Sequence, residues 1–224
     1  MDRLPLVQVV DRLRGHYGTV KVPRLNGPWE MILWENVAYL ADDERRREAF
    51  QTLKKLIGTK PEQILSASDE QLLEVTRYGI MAVQFAEKLR RCARIMLEEF
   101  DGDLQPVLQR PLPEAKNALQ RFPGIGEPGA EKILMNTRTH PLLALESNGL
   151  RVLLRLGFGE ENQNYSTTYR LVRAAVEGEL EREYSWLIDA HQLLRLHGKE
   201  LCRRSEPACE KCPLAPDCCF NLKR

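Results

Sequence analysis

The sequence has no long apolar run. None of its 224 residues sits in a stretch approaching the ~20 apolar residues a membrane helix needs, and the start, Met1-Asp2-Arg3, lacks the apolar core of an export signal. A cytoplasmic protein that enters no membrane is therefore expected. Sustained period-two alternation is also missing, which argues against half-buried strands, and there is no internal repeat or low-complexity segment. An excess of one charge is missing too: 33 Lys and Arg stand against 32 Asp and Glu, for a net charge of +1. Any binding to a polyanion must then be local, carried by a few groups rather than by the whole surface.

What is present is a hydrophobic fraction of 43%, enough to bury a core in one large or two small domains. Leu4, Val7, Val10, Leu13 and Tyr17 recur at helical spacing, with an end expected near Gly15. Trp29 to Ala41 is apolar almost all round a helix, which implies burial, yet it carries Glu35 and Asn36. Asp42, Asp43 and Glu44 meet Arg45, Arg46 and Arg47 in a charge run expected on a solvated face, before a stripe of Phe50, Leu53, Leu56 and Ile57. Ser66 or Ser68 caps an expected helix from Asp69 to Val75. Phe85, Leu89, Cys92, Ala93, Met96 and Phe100 form one face of a long helix, which places Cys92 in the core. Pro111 and Pro113 introduce another, and helices follow after Asn148, from Ser166 to Glu177, and from Tyr184 to His197 with a stop at Gly198. The chain reads as all-α.

Two stretches carry chemistry. In Phe122-Pro123-Gly124-Ile125-Gly126, two glycines one residue apart stand between a proline and a helical run. Such a hairpin can turn several backbone amides outward together and hold a phosphate. Cys202, Cys209, Cys212 and Cys218 are separated by six, two and five residues, in a chain without an export signal, which favours a metal centre over disulfides. Four thiolates with no nearby His ligand suit zinc or an iron-sulfur cube, and spacing alone leaves both open. Either would be structural, because four protein ligands leave no position for a substrate. Cys219 is unassigned.

The cysteine spacing, with its lead-in His197-Gly198-Lys199-Glu200-Leu201-Cys202, resembles the iron-sulfur loop of endonuclease III and the MutY-type adenine glycosylases. The segment Phe122 to Gly126 resembles the hairpin of the same helix-hairpin-helix (HhH-GPD) superfamily of base-excision DNA glycosylases, and the likeness spans about Pro28 to Cys218. It implies a two-domain, all-α fold: residues 1–22 a helix packing with the cluster domain, 23–137 a helical barrel with the hairpin at about 114–135, and 138–224 a helical domain with the loop at 202–218. It also implies a [4Fe-4S] cluster on Cys202, Cys209, Cys212 and Cys218, with zinc the alternative.

The resemblance further implies that Gly124, Ile125 and Gly126 grip a DNA phosphate, that Tyr39 and Leu40 lie where the family wedges into the duplex after base flipping, and that Asn148 contacts DNA. Lys199, Arg203 and Arg204 are placed to face a phosphate backbone. Glu146 stands at the family's essential aspartate, one methylene longer. Glu35 falls where MutY-type enzymes keep a catalytic glutamate, and burial among Met31, Ile32, Trp34, Tyr39 and Leu40 is expected to keep it protonated as an acid. Pro128 occupies the position of the lysine that forms a Schiff base in bifunctional members, so no lyase is expected.

The function implied is that of a monofunctional DNA N-glycosylase acting as a monomer, at the nucleoid, on double-stranded DNA that holds a lesion or mismatch. It would hydrolyse the bond to a damaged or mispaired base, a purine by its MutY-like features. The alternative is a catalytically silent member that binds damaged DNA. Activity on RNA or free nucleosides is the third reading, left open by the near-neutral charge.

Overall fold

The computed structural model describes residues 3–222, and among them there is no strand, only a single antiparallel bridge between Tyr39 and Ile80. The chain forms two compact units, one made of the chain up to Pro23 together with the chain from His140 onward, the other of Arg24–Thr139.

The first helix, α1 (Leu6–Tyr17), buries Leu6, Val9, Val10 and Leu13. It runs past Gly15, where a stop was expected, and ends at Gly18, whose φ of 67° a side chain would rarely adopt. Gly15 continues the helix because nothing in its surroundings requires a turn there, and the weak propensity of one glycine, about 1 kcal/mol, is outweighed by the four buried side chains.

The Arg24–Thr139 unit begins with α2 (Gly27–Asn36), which has Pro28 in its first turn. It is apolar all round because it lies between two hydrophobic clusters. Met31 and Ile32 join Cys92, Leu119, Phe122 and Ile125 in one, and Leu33 and Trp34 join Phe50, Leu53, Leu72 and Leu89 in the other. The helix stops at Asn36, short of the expected Ala41, and the chain turns through the Tyr39 bridge. Around it follow α3 (Asp43–Leu56), α4 (Pro61–Ser66), α5 (Asp69–Thr76), α6 (Ala82–Glu98), α7 (Gln105–Leu108), α8 (Leu112–Leu119) and α9 (Glu127–Asn136). Asp42 caps α3 by accepting from the Glu44 and Arg45 amides, and Ser68 rather than Ser66 caps α5. Cys92 is fully buried, as its place on the apolar face of α6 predicts, and burial pushes its thiol up to about 12.

In the other unit α10 (Ser147–Arg155) packs on α12 (Tyr184–Glu200), α11 (Tyr165–Glu177) packs on α10, and α1 also packs on α12. Two short turns of 3-10 helix, Cys209–Lys211 and Ala215–Asp217, and α13 (Cys219–Leu222) complete it. The expected stop at Gly198 is not made, and α12 continues to Glu200. That glycine answers a crossing, since a Cβ there would stand 2.5 Å from the Asn148 carbonyl oxygen, a backbone atom of α10. Gly198→Ala is therefore expected to push α12 off α10 and to cost at least about 1–3 kcal/mol, read as a lower midpoint of thermal unfolding. An unchanged midpoint would show that the crossing is looser than this.

Candidate functional site

The hairpin joins α8 to α9. Phe122 and Ile125 are buried in the cluster beneath it, which fixes the turn from below, and Gly124 makes the turn with φ 78°. A Cβ on Gly124 would also meet Asn36 Oδ1 at 2.8 Å, so conformation and space both require glycine. Gly126 is the N-cap of α9 and has no side chain to satisfy the first amides. Pro128 removes one of them, and the other first-turn N–H groups have no intrahelical acceptor. An acidic residue at this end would oppose an anion. Glu127 is drawn into an ion pair with Lys116, which also bonds Glu131 at 2.8 Å.

Asn36 couples the hairpin to α2. Its side-chain amide donates to the Ile32 carbonyl at 3.0 Å and to the Pro123 carbonyl at 2.9 Å, and it is fully buried. The polar residue that looked out of place in an apolar helix is thus the tie between that helix and the turn. Glu35, its neighbour, has a different setting from the apolar seat expected. Its side chain is 20% exposed, its Oε1 receives Lys132 Nζ, and its Oε2 lies 3.6 Å from Arg46. Two cationic partners thus stand where an apolar surround was expected. Arg46 therefore leaves the solvated face expected for the charge run, and also donates to the Ala38 carbonyl.

Tyr39 stacks on Phe85 with ring centroids 4.8 Å apart and pairs with Ile80 across the bridge. Next to each bridge residue stands a non-glycine in the left-handed region, Leu40 at φ 51° and Met81 at φ 59°. Such backbone costs roughly 1–2 kcal/mol per residue, and here it presents side chains to solvent: Leu40 is 72% exposed, with Ile80, Met81 and Val83 each more than half exposed. Gly79 permits the approach of the two loops, because a Cβ there would lie 2.4 Å from the Tyr39 amide nitrogen.

In the unit of α10 and α12, Glu146 is the N-cap of α10. It accepts from the Gly149 amide at 2.7 Å and from Asn148 Nδ2 at 2.8 Å, so both oxygens are engaged. Asn148 Oδ1 accepts from Arg151 at 2.7 Å. Asn148 and Arg151 border a cleft of about 1100 Å³ that Arg155, Lys199, Arg203 and Arg204 also line, and Glu146 is not among its lining residues. Arg151 and Arg155 use their guanidinium donors on the loop itself, on the carbonyls of Cys202, Gly198, Arg203 and Arg204. Arg203 and Arg204 are exposed.

Cys202, Cys209, Cys212 and Cys218 line one small cavity of about 20 Å³ with Leu201, Pro207, Ala215 and Phe220. Among the described residues, no three His, Cys, Asp or Glu side chains meet at a point where one ion would sit. Four thiols on a mostly apolar wall are a donor set that suits zinc or an iron-sulfur cluster. Arg155 donates to Cys202 Sγ at 3.3 Å, and Cys212 Sγ lies 3.4 Å from His197 Nε2. Burial pushes the Cys212 thiol up to about 11, so binding a metal there displaces a proton.

Sequence reasoning passed over Lys132 and Arg46, the partners of Glu35, and Ile80, Met81 and Val83, which extend the apolar loop. Ile80-Met81 did carry a signal, an apolar pair directly after Gly79 where a polar loop is the rule. Lys132 had none, since 97 positions separate it from Glu35.

Among the described residues the chain is helical, with a glycine hairpin between two helices and a four-cysteine loop after its last long helix. No family model matches the chain. It is 23% identical to endonuclease III of Haemophilus influenzae over 225 aligned residues, covering 100% of this chain and 99% of that one, and 27% identical to the Rickettsia conorii enzyme over 76% of each. Its structure is similar to that of an endonuclease III in a trapped covalent intermediate with DNA, with a TM-score of 0.78, 18% identity and 99% of each chain covered. The chain thus shares the helical fold of endonuclease III and resembles the curated endonuclease III sequences along its whole length. No helix among the described residues is long and apolar enough to cross a membrane.

Proposed function

We propose that the chain is a DNA repair glycosylase, a monomer acting on duplex DNA at the nucleoid, that hydrolyses the bond to a flipped damaged or mispaired base, a purine in our reading. The observation that carries this is the Asn36 tie: it fixes the α2 end holding Glu35 to the turn whose amides suit a phosphate, so a carboxylate stands in set register to a bound backbone. Glu35, facing Lys132 and Arg46, opposes the positive charge that grows on the sugar. Glu146 is the second candidate carboxylate, and would have to release Asn148 or Gly149 to meet a sugar.

The Tyr39-Leu40 turn and the Ile80-Met81 loop suit a wedge that fills the space left by the base. Their strained backbone and exposed apolar side chains have no use in packing and one in unstacking a duplex. Asn148, Lys199, Arg203 and Arg204 suit a second stretch of backbone. Pro128 offers no amine, and the nearby Lys132 is held on Glu35, which supports a monofunctional enzyme. On Cys202, Cys209, Cys212 and Cys218 we place a [4Fe-4S] cluster in preference to zinc, because their spacing resembles the iron-sulfur loop of the endonuclease III family. When bound, it supplies a thiolate-linked brace for the loop and leaves no protein position for a substrate. The engagement of both Glu146 oxygens in a helix cap favours one competing reading, a silent binder of damaged DNA.

The test is incubation with duplexes holding deaminated, alkylated, oxidised and mismatched bases, with and without alkali. Strand breaks that need alkali are expected. Breaks without it would show a lyase, and tight lesion binding without base release from any duplex would establish the silent reading.

A further inference from the structure

Beside the ion pair of Arg12 with Asp217, a buried side chain joins the cysteine loop to α1. His197, on the last turns of α12, is 1% exposed. Its Nε2 lies 3.4 Å from Cys212 Sγ, and its Nδ1 lies 3.0 Å from the Tyr17 hydroxyl at the end of α1. The two rings sit edge to face with centroids 5.9 Å apart, which leaves the imidazole little freedom to turn.

We infer that Tyr17 and His197 form a hydrogen-bond relay that donates to the Cys212 sulfur and tunes a cluster bound in the cavity. The inference rests on the cluster proposed above. A ligating cysteine is a thiolate with no proton to give, so the proton shared by Cys212 and His197 lies on Nε2 and points at sulfur. In the neutral ring Nδ1 is then the acceptor, and Tyr17 O–H is its donor. The tautomer is set by a residue 180 positions away in sequence. A donor to a ligating sulfur offsets part of its charge, which favours the reduced, more negative state of a cluster and stabilises the thiolate. Arg155 does the same for Cys202 from the other side. Tyr17 and His197 act through the sulfur as positioning residues and take no part in ligation.

The test uses the whole protein with Tyr17→Phe, His197→Leu and His197→Gln. Iron content is measured first, then the midpoint potential by voltammetry and the rate of iron loss to a chelator followed by visible absorbance. Tyr17→Phe, which keeps the ring, is expected to move the potential to more negative values. His197→Leu moves it further and raises the rate of iron loss roughly tenfold, while His197→Gln, which keeps a donor near Nε2, restores most of the shift. A potential unchanged in a fully loaded Tyr17→Phe protein would overturn the relay alone, even if His197→Leu does not fold. A wild-type protein purified without iron would overturn the cluster and the relay with it.

Discussion

Glu35→Gln is expected to lower the single-turnover rate of base release by about 10²–10⁴-fold while leaving affinity for lesion-bearing duplex intact or slightly higher. Glutamine keeps the length and planar end of glutamate, and the tie from Asn36 to Pro123 does not involve residue 35, so the hairpin keeps its place. What disappears is one negative charge facing Lys132 and Arg46. Those two cations are then released toward the DNA, which strengthens rather than weakens electrostatic attraction to phosphates. Loss of rate with retained binding separates a chemical role from a structural one. A rate within a few-fold of wild type would remove Glu35 from the chemistry. A parallel Lys132→Met protein shows whether the anion depends on its partner, since a weaker hold on the charge should shift the acid limb of the rate profile to higher pH.

The hairpin and the cysteine loop were legible because each is local. A turn needs glycine at given offsets, and four cysteines that line one cavity come from short spacings, so both are written into runs of under twenty residues. The burial of Cys92 and of α2 was legible for a related reason, that periodicity reports how many faces of a helix are covered. Helix ends were less so. Gly15 and Gly198 look alike in sequence, yet one sits in open space and the other under the Asn148 backbone, and only the neighbour decides. The polar setting of Glu35 was hidden for the same reason. Nearby residues in the chain are apolar, whereas Lys132 and Arg46 arrive from α9 and α3, and electrostatics depends on distance in space. The role of Asn36 was likewise hidden, because its partner Pro123 lies 87 residues on.

Removing the proposed metal centre is expected to melt the loop and leave the hairpin unit standing. The segment from Leu201 to Leu222 has almost no core of its own. Leu214 and Cys218 are its only buried residues, and its helical pieces are three or four residues long, too short to persist alone. It is held by backbone turns, by Arg151 and Arg155 on its carbonyls, and by whatever the four thiols bind. Both hydrophobic clusters of the Arg24–Thr139 unit contain no residue of the loop. In a chelated protein, or in Cys212→Ser, amide exchange should therefore rise across 201–222 and the ends of α10 and α12, while α2, α8 and α9 keep their protection. A loss of only ~3 kcal/mol would lower the midpoint of a unit near a hundred residues by roughly 10–20 °C. Burial pushes the unbound Cys212 thiol up to about 11, so ligation there has to displace a proton and acid must promote release. Iron loss should accordingly accelerate as pH falls. Exchange that stays low across the loop after complete iron removal would mean that the arginine contacts alone fold it, and would reduce the metal to an ornament of the surface.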